Sequence, residues 1–455
     1  MRLYRFDPQA CTDLPANPPV GIPSGMPFLL DDDGVPVDVV NRWLRSLPTT
    51  GVPAAKSWLA YGEDLKAWAQ FLRARSLQLI DDSGLLVEAV AAYHAERRMG
   101  PLDRRLAETS WDRAVAAIAR FYEWAQAEGM IDRVPFSYRT VAIRGEGPVA
   151  RTVRRNLAKE RRPRAHVTMR WLEEDYLTLF VEVGMGGMLP DGGDDPGFRG
   201  RHPARNAAIA HLAASSGLRA QEFSHLLIWE VPQVPADSST PFLPLTVPGV
   251  IAKGGRARTT WVSPQALARV HGYLRLERPL TALGAPWRPD VEPLVVTEAD
   301  AVGGRVNGRR LRWAQLRLED RTRLVCADGG SPLLALSDTG GPLVDWEYVF
   351  GAASRRCRRV TARFPIVTPH VLRHSFAVYT LRWLVRTHMA DVAKLLEVSD
   401  ADPAWVLALR SQDPLLVLRD LLGHASVTTT EDYLHLIDTT RLFTDAELAA
   451  NESPS

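Results

Sequence analysis

Apolar residues recur at helical spacing through the first third of the chain. From Ser57 to Arg75, Trp58, Tyr61, Leu65, Trp68 and Leu72 return at three- and four-residue steps, which predicts an amphipathic helix. A second helix is predicted near Leu85 to Arg97. A third starts at a Thr109 or Ser110 cap, runs through Trp111, Val115, Ile118, Phe121 and Ala125, and stops at Gly129. Three such helices can bury one another as a small bundle, and core packing is the ordinary reading of their aromatic residues. Residues 1–50 are rich in Pro, Asp and Gly. One short helix is expected there, with Val39, Val40, Trp43 and Leu44 on one face, and the rest reads as an N-terminal arm.

Further along, the pattern mixes helix and strand. Trp171 to Val183 reads as a helix with Glu173, Glu174 and Asp175 in its first turns, where the dipole favours them. Gly184 to Gly200 reads as a loop. Asn206 to Ser215 is helical and ends at Gly217, and Ala220 to Leu227 begins the next helix. Phe242 to Ile251 and Ala257 to Val262 are β-branched enough for strands, with Lys253-Gly254-Gly255 as the turn between them. A chain of 455 residues exceeds one ordinary core, so several domains are expected.

Composition adds constraints. Hydrophobic residues make up 46% and charged residues 24%, so long disorder is not expected away from the ends. Cys11, Cys326 and Cys357 are too few and too scattered for a disulfide framework or a zinc site, and suit a reducing compartment. The N-terminus shows no apolar run of the signal-peptide kind, and no stretch approaches the roughly 18 apolar residues of a membrane span. A cytoplasmic protein is expected. There is no sign of internal repeats or low-complexity tracts.

Net charge is only +2, from 55 Lys+Arg against 53 Asp+Glu, but its distribution is uneven. Between Arg144 and Arg170 stand eight arginines and Lys159 against Glu146 and Glu160. A solvated linker would explain this. Concentrated positive charge in a near-neutral chain is also an electrostatic footprint for DNA, with Arg154, Arg155, Arg161, Arg162 and Arg164 as candidate contacts. Arg256 and Arg258 are further candidates. Arg305 to Arg323 and Arg355 to Arg359 form two more clusters, each open to the same two readings.

The chemistry concentrates near the C-terminal end. Pro369-His370-Val371-Leu372-Arg373-His374 is followed by Leu421-Leu422-Gly423-His424 and, nine residues after His424, by Tyr433. Arg219 lies upstream in Ser216-Gly217-Leu218-Arg219, and Lys253 in Ala252-Lys253-Gly254. Two arginines can grip the nonbridging oxygens of a phosphodiester. A phenol can be the nucleophile, and His and Lys can move protons. Alone, Arg219 would read as a surface residue and Tyr433 as core. His370 and His374, four apart, lack a third ligand for a metal. His374 reads as a buried hydrogen-bonding residue, and Glu222 as a brace for a neighbour or a helix cap.

The ordered set Arg219, Lys253, His370-x-x-Arg373, Leu-Gly-His424, Tyr433 resembles the tyrosine recombinase (phage integrase) family, over roughly residues 219–433. The resemblance implies a multidomain, mainly α fold: an N-terminal helical core-binding (SAM-like) bundle and an α+β catalytic domain of the tyrosine recombinase / type IB topoisomerase kind, with a small antiparallel β-sheet. The boundaries expected are an arm at 1–50, the core-binding domain at 51–136, a basic linker at 137–165 and the catalytic domain at 166–455.

The same resemblance implies the activity. Tyr433 would attack a DNA phosphate, leaving a 3′-phosphotyrosyl bond and a free 5′ hydroxyl. Arg219 and Arg373 would hold the phosphate, His370 and His424 would assist, and Lys253 would protonate the leaving oxygen, with no cofactor. The partners implied are double-stranded DNA, a homo-tetramer on DNA, and an accessory DNA-bending or directionality factor. Two spacings depart from the family. Lys253 to His370 is long, and so is Arg373 to His424, which places a probable insertion near 386–414. Three other readings are left open by the residues: a type IB topoisomerase-like nicking and closing enzyme, a catalytically silent DNA-binding protein, and a helical scaffold.

Overall fold

The computed structural model describes residues 1–8, 21–52, 55–143, 151–159, 170–235, 240–284, 287–327, 329–397, 413–431 and 433–434. It divides into two compact units, Met1–Ala165 and His166–Ser455. Arg161, Arg162 and Arg164, and residues 398–412 of the expected insertion, lie outside the described residues.

The first unit is a helical bundle with a small sheet at its N-terminal end. Its helices are α1 (Asp38–Ser46), α2 (Ala55–Arg73), α3 (Ser83–His94) and α4 (Glu108–Ala127). Helices α2 and α4 pack through the stripes read from the sequence. Leu65, Trp68 and Leu72 meet Trp111, Val115, Ile118 and Phe121, all buried. The Trp68 indole donates to the Tyr122 hydroxyl at 2.9 Å, so this fully buried ring keeps its polar atom satisfied. Asp82 caps α3 by accepting from the backbone N–H groups of Gly84 and Leu85. Helix α4 starts at Glu108, ahead of the expected Thr109 or Ser110 cap, and its N-cap residue Ala107 contributes no side-chain bond.

The described residues of 1–50 pack on the bundle. Strand β1 (Arg2–Arg5) pairs antiparallel with β2 (Pro27–Leu30), and Met26, Leu29, Trp43 and Leu44 are buried in the bundle core. The Asn41 side chain on α1 accepts from the Leu29 N–H at 2.7 Å and donates to the Leu29 carbonyl at 3.0 Å. That buried amide satisfies both backbone groups of Leu29 and pins the sheet to the helix. The described part of the basic stretch expected as a linker carries two strands. Strands β3 (Tyr138–Ile143) and β4 (Arg151–Asn156) form an antiparallel pair in register from Tyr138↔Asn156.

The second unit has a helical core. Helix α5 (Glu174–Leu179) continues into a π-helical turn through Met185, followed by α6 (Pro203–Ser216) and α7 (Ala220–His225). Strands β5 (Leu243–Val247) and β6 (Arg258–Val262) then pair antiparallel, followed by α8 (Pro264–Arg275) and α9 (Glu277–Gly284). Helix α6 is small-residue rich and buried on nearly every side, packed against α8, the π-helical turn and α12 (Pro369–Glu397), while α11 (Glu347–Val360) packs on the π-helical turn. Helix α12 runs unbroken into the expected insertion at 386–414. Helices α13 (Pro414–Leu422) and α14 (Thr428–Glu431) complete the described chain.

Between α9 and α11 lies a four-stranded sheet that periodicity did not announce. Strands β7 (Leu294–Ala299), β8 (Gly303–Val306) and β9 (Arg309–Arg312) are antiparallel neighbours. After the short helix α10 (Leu318–Thr322), strand β10 (Leu324–Cys326) pairs parallel with β7. Of the arginine cluster of 305–323, Arg321 alone is buried, while Arg305, Arg309, Arg310, Arg312 and Arg317 are exposed. Arg321 is fully buried, with Nη1 and Nη2 on the Glu230 carboxylate at 2.7 and 2.8 Å. Arg305 pairs with Glu298, and Arg310 with Asp300.

Candidate active site

The site forms where two helix ends meet the β5–β6 hairpin. Helix α6 ends at Gly217, whose φ of 62° is left-handed. A Cβ there would lie 2.4 Å from the Phe376 ring, so both conformation and space require glycine. Helix α13 ends in the same way at Gly423, φ 65°, where a Cβ would sit 2.8 Å from Arg258 Cδ. The two helix ends leave carbonyl groups without intrahelical partners. Arg373, buried on α12, takes one from each end, donating to the carbonyls of Gly217 and Leu422. A guanidinium has five N–H donors, so further donors remain for an anion.

Arg219 is the N-cap of α7. Its backbone N–H donates to Glu222 Oε2 at 2.8 Å and its Nη1 donates to Glu222 Oε1 at 3.0 Å. Glu222 is fully buried and also receives Arg258, through Nη1 and Nη2 at 2.7 Å each. Burial works to raise the Glu222 carboxyl, but the hydrogen bonds and charge of Arg258, and then of Arg219, outweigh it and hold it below its ordinary value. Arg258 Nε reaches the Leu421 carbonyl at 3.0 Å. Arg258 was expected among the DNA-binding arginines. Its side chain is instead 7% exposed and ties the hairpin to α7 and α13. The physical reason is strand alternation: residues 258, 260 and 262 share a face, and Thr260 and Val262 are buried.

Lys253 is exposed on the loop between β5 and β6. The strands are shorter than expected, so this loop spans residues 248–257 and is not a tight turn. The Gln221 side chain on α7 donates to the Ile251 carbonyl at 3.0 Å and holds the loop beside Arg219. Arg256 is exposed on the same loop.

Three imidazoles line the remaining side. His370 and His374 stand one turn apart on α12, ring centroids 6.0 Å apart. His424 follows Gly423, and its Nδ1 lies 3.0 Å from Thr430 Oγ1. Its ring stacks on that of Tyr433, at 6.4 Å and 8°. Tyr433 is buried at the end of a short cluster with Phe376, Leu381, Leu418 and Leu422, and its hydroxyl lies 2.8 Å from His374 Nδ1. His374 was expected to be a buried hydrogen-bonding residue; its partner, the candidate nucleophile, lies 59 positions away and was not foreseen.

Burial, then the charges of Arg373 and Arg219, pull His424 down to about 4, and burial, then His370 and Arg373, do the same to His374. His370 is lowered by burial, then by Arg373, Arg219 and Lys253. Arg373 is drawn down to about 9 by burial and by Arg219, and stays cationic at neutral pH. Cations that depress so many neighbours mark a place prepared for an anion. Among the described residues no group of three His, Cys, Asp or Glu could hold a metal ion.

The expected site residues thus fall into three groups. Arg219, Lys253, His370, Arg373, His424 and Tyr433 come together in the second unit. Arg154 and Arg155 are exposed on β4 of the first unit, with the Arg154 guanidinium 4.2 Å from the Tyr138 ring centre. Arg161, Arg162 and Arg164 lie outside the described residues.

Residues 40–129 match the family model of the phage integrase N-terminal SAM-like domain. No curated protein matches it in sequence. Similar solved structures include the XerH site-specific recombinase bound to palindromic difH substrate, at 13% identity, 90% of this chain and 85% of that one, TM-score 0.45. The Tn1549 transposon integrase with circular intermediate DNA is similar at 13% identity, with 87% and 94% covered and a TM-score of 0.45. A lambda integrase dimer bound to a core site is similar at 13% identity, with 87% and 94% covered and a TM-score of 0.40. No helix among the described residues is long and apolar enough to cross a membrane.

Proposed function

We propose that this protein is a site-specific DNA recombinase of the integrase or transposase type, cutting and rejoining strands through a 3′-phosphotyrosyl intermediate. The observation that carries the reading is the convergence of two guanidinium groups, three imidazoles and one phenol on one position, with Glu222 bracing Arg219 from behind. The exposed groups are cationic or neutral, so they favour a phosphate and repel a divalent metal ion.

In this reading Arg219 and Arg373 hold the nonbridging oxygens of the scissile phosphate. Neutral His370 and His424 add N–H donors. Tyr433 attacks phosphorus: its oxygen forms the new P–O bond, the bond to the 5′ oxygen breaks, and Lys253 gives that oxygen a proton. The phosphodiester is replaced by a phosphotyrosyl ester of similar energy. A 5′ hydroxyl from another strand can therefore reverse the step without ATP. Exchange between two duplexes involves four strand cuts, for which a homo-tetramer on double-stranded DNA is the proposed assembly. An accessory bending or directionality factor is proposed as a further partner, with the cytoplasm as the place of action.

The test is a nicked suicide substrate carrying the native target, or pooled flanking DNA, incubated in EDTA with wild type and Tyr433→Phe. Wild type is expected to give a covalent protein–DNA band and Tyr433→Phe none. Salt-sensitive binding without a band would turn the reading to a silent DNA-binding protein.

A further inference from the structure

We propose that His374 is a catalytic residue that takes the proton of the Tyr433 hydroxyl as that oxygen attacks phosphorus. The proposal rests on the recombinase reading above and adds to it a residue outside the expected set. Three observations carry it. The His374 Nδ1 lies 2.8 Å from the Tyr433 oxygen, a distance at which a proton can be passed directly. Tyr433 is buried and His374 half-buried, so bulk water is a poor competitor as proton acceptor. His374 also sits next to Arg373 on α12, so the helix that supplies the phosphate-gripping arginine fixes the imidazole beside the nucleophile.

The proton balance is simple. His374 begins neutral, with its proton on Nε2 and the Nδ1 lone pair facing the phenol. The phenol proton moves to Nδ1 as the P–O bond forms, giving an imidazolium. Lys253 separately protonates the leaving 5′ oxygen. Rejoining runs the same transfers backward. The groups facing His374 are Tyr433, His370 on its own helix and Arg373, with His424 stacked across the phenol ring. Burial and these neighbours keep His374 neutral at pH 7. A bound phosphate anion offsets the charge of Arg373 and Arg219 and so raises the basicity of the imidazole when it is needed.

The test compares single-turnover covalent-complex formation in EDTA for wild type and His374→Gln, with Tyr433 either as tyrosine or replaced by the more acidic 3-fluorotyrosine. His374→Gln is expected to bind the duplex normally and to form the complex about 10²–10⁴-fold more slowly. The deficit should shrink several-fold with 3-fluorotyrosine, because a more acidic phenol needs less help. A deficit that is the same for both phenols, or no deficit, would overturn the proposal. Wild type giving no Tyr433-dependent complex would overturn the recombinase reading itself. A second measurement uses neither DNA nor the His374 variant. In ¹⁵N-histidine spectra of wild type at pH 7, His374 Nδ1 should be unprotonated and should shift in Tyr433→Phe. A proton resident on Nδ1 would sink the assignment.

Discussion

At the scale of single residues, the site depends on one carboxylate that never meets the substrate. Glu222 neutralises part of a cluster in which Arg219, Arg258 and Arg373 crowd together. Its removal leaves buried guanidinium groups without a counter-charge. Glu222→Ala should lower stability by about 3–5 kcal/mol, read by urea unfolding. A loss under 1 kcal/mol would show that solvent reaches the cluster. The histidines predict a pH response. His374 and His424 are depressed to about 4 from an ordinary 6.5, so the unfolded chain binds more protons than the folded one between those values. Stability should therefore fall as pH drops from 6.5 to 4, and His424→Gln should flatten that slope in thermal melts taken across the window. Most of these residues were legible from motif order. The His374–Tyr433 bond was not, because a one-dimensional pattern carries no sign of which side chains meet across 59 positions. The inward turn of Arg258 was legible in principle from its strand alternation with Thr260 and Val262.

At the scale of elements, two left-handed glycine caps do the positioning. Gly217 and Gly423 end α6 and α13 so that a carbonyl near each end lies within reach of Arg373. Gly217→Ala should cost about 1–2 kcal/mol for the backbone alone. The 2.4 Å approach to Phe376 adds to that, and strand cleavage should fall with stability. A variant that melts like wild type and cleaves normally would contradict this account of the α6 end. The amphipathic helices were readable because their apolar stripes are long and regular. The β7–β10 sheet was not, because its strands are three to six residues long and β9 is mostly arginine, which reads as surface. Asn41 explains the other omission. The N-terminal strands are held by one buried amide and a few large apolar residues, which a Pro- and Asp-rich composition conceals.

At the scale of the whole molecule, the near-zero net charge hides local excess. Arg321, held by Glu230, is internal, whereas Arg305 and Arg310, paired with Glu298 and Asp300, are exposed along with Arg154, Arg155 and Arg256. DNA affinity should therefore fall steeply with salt. Arg154→Gln or Arg155→Gln should each reduce the slope of log K against log salt by about 1, measured by fluorescence anisotropy over a salt series. An unchanged slope would assign that arginine to the solvated surface.

The measurement that bears most directly on the central claim is the chemical identity of the protein–DNA link. The covalent complex formed in EDTA would be trimmed with nuclease and protease, and the peptide spanning Tyr433 sequenced by mass spectrometry. The account predicts a nucleotide joined through its 3′ phosphate to the Tyr433 oxygen, with a free 5′ hydroxyl on the released strand. An adduct on another residue, or a link through a 5′ phosphate, would contradict it.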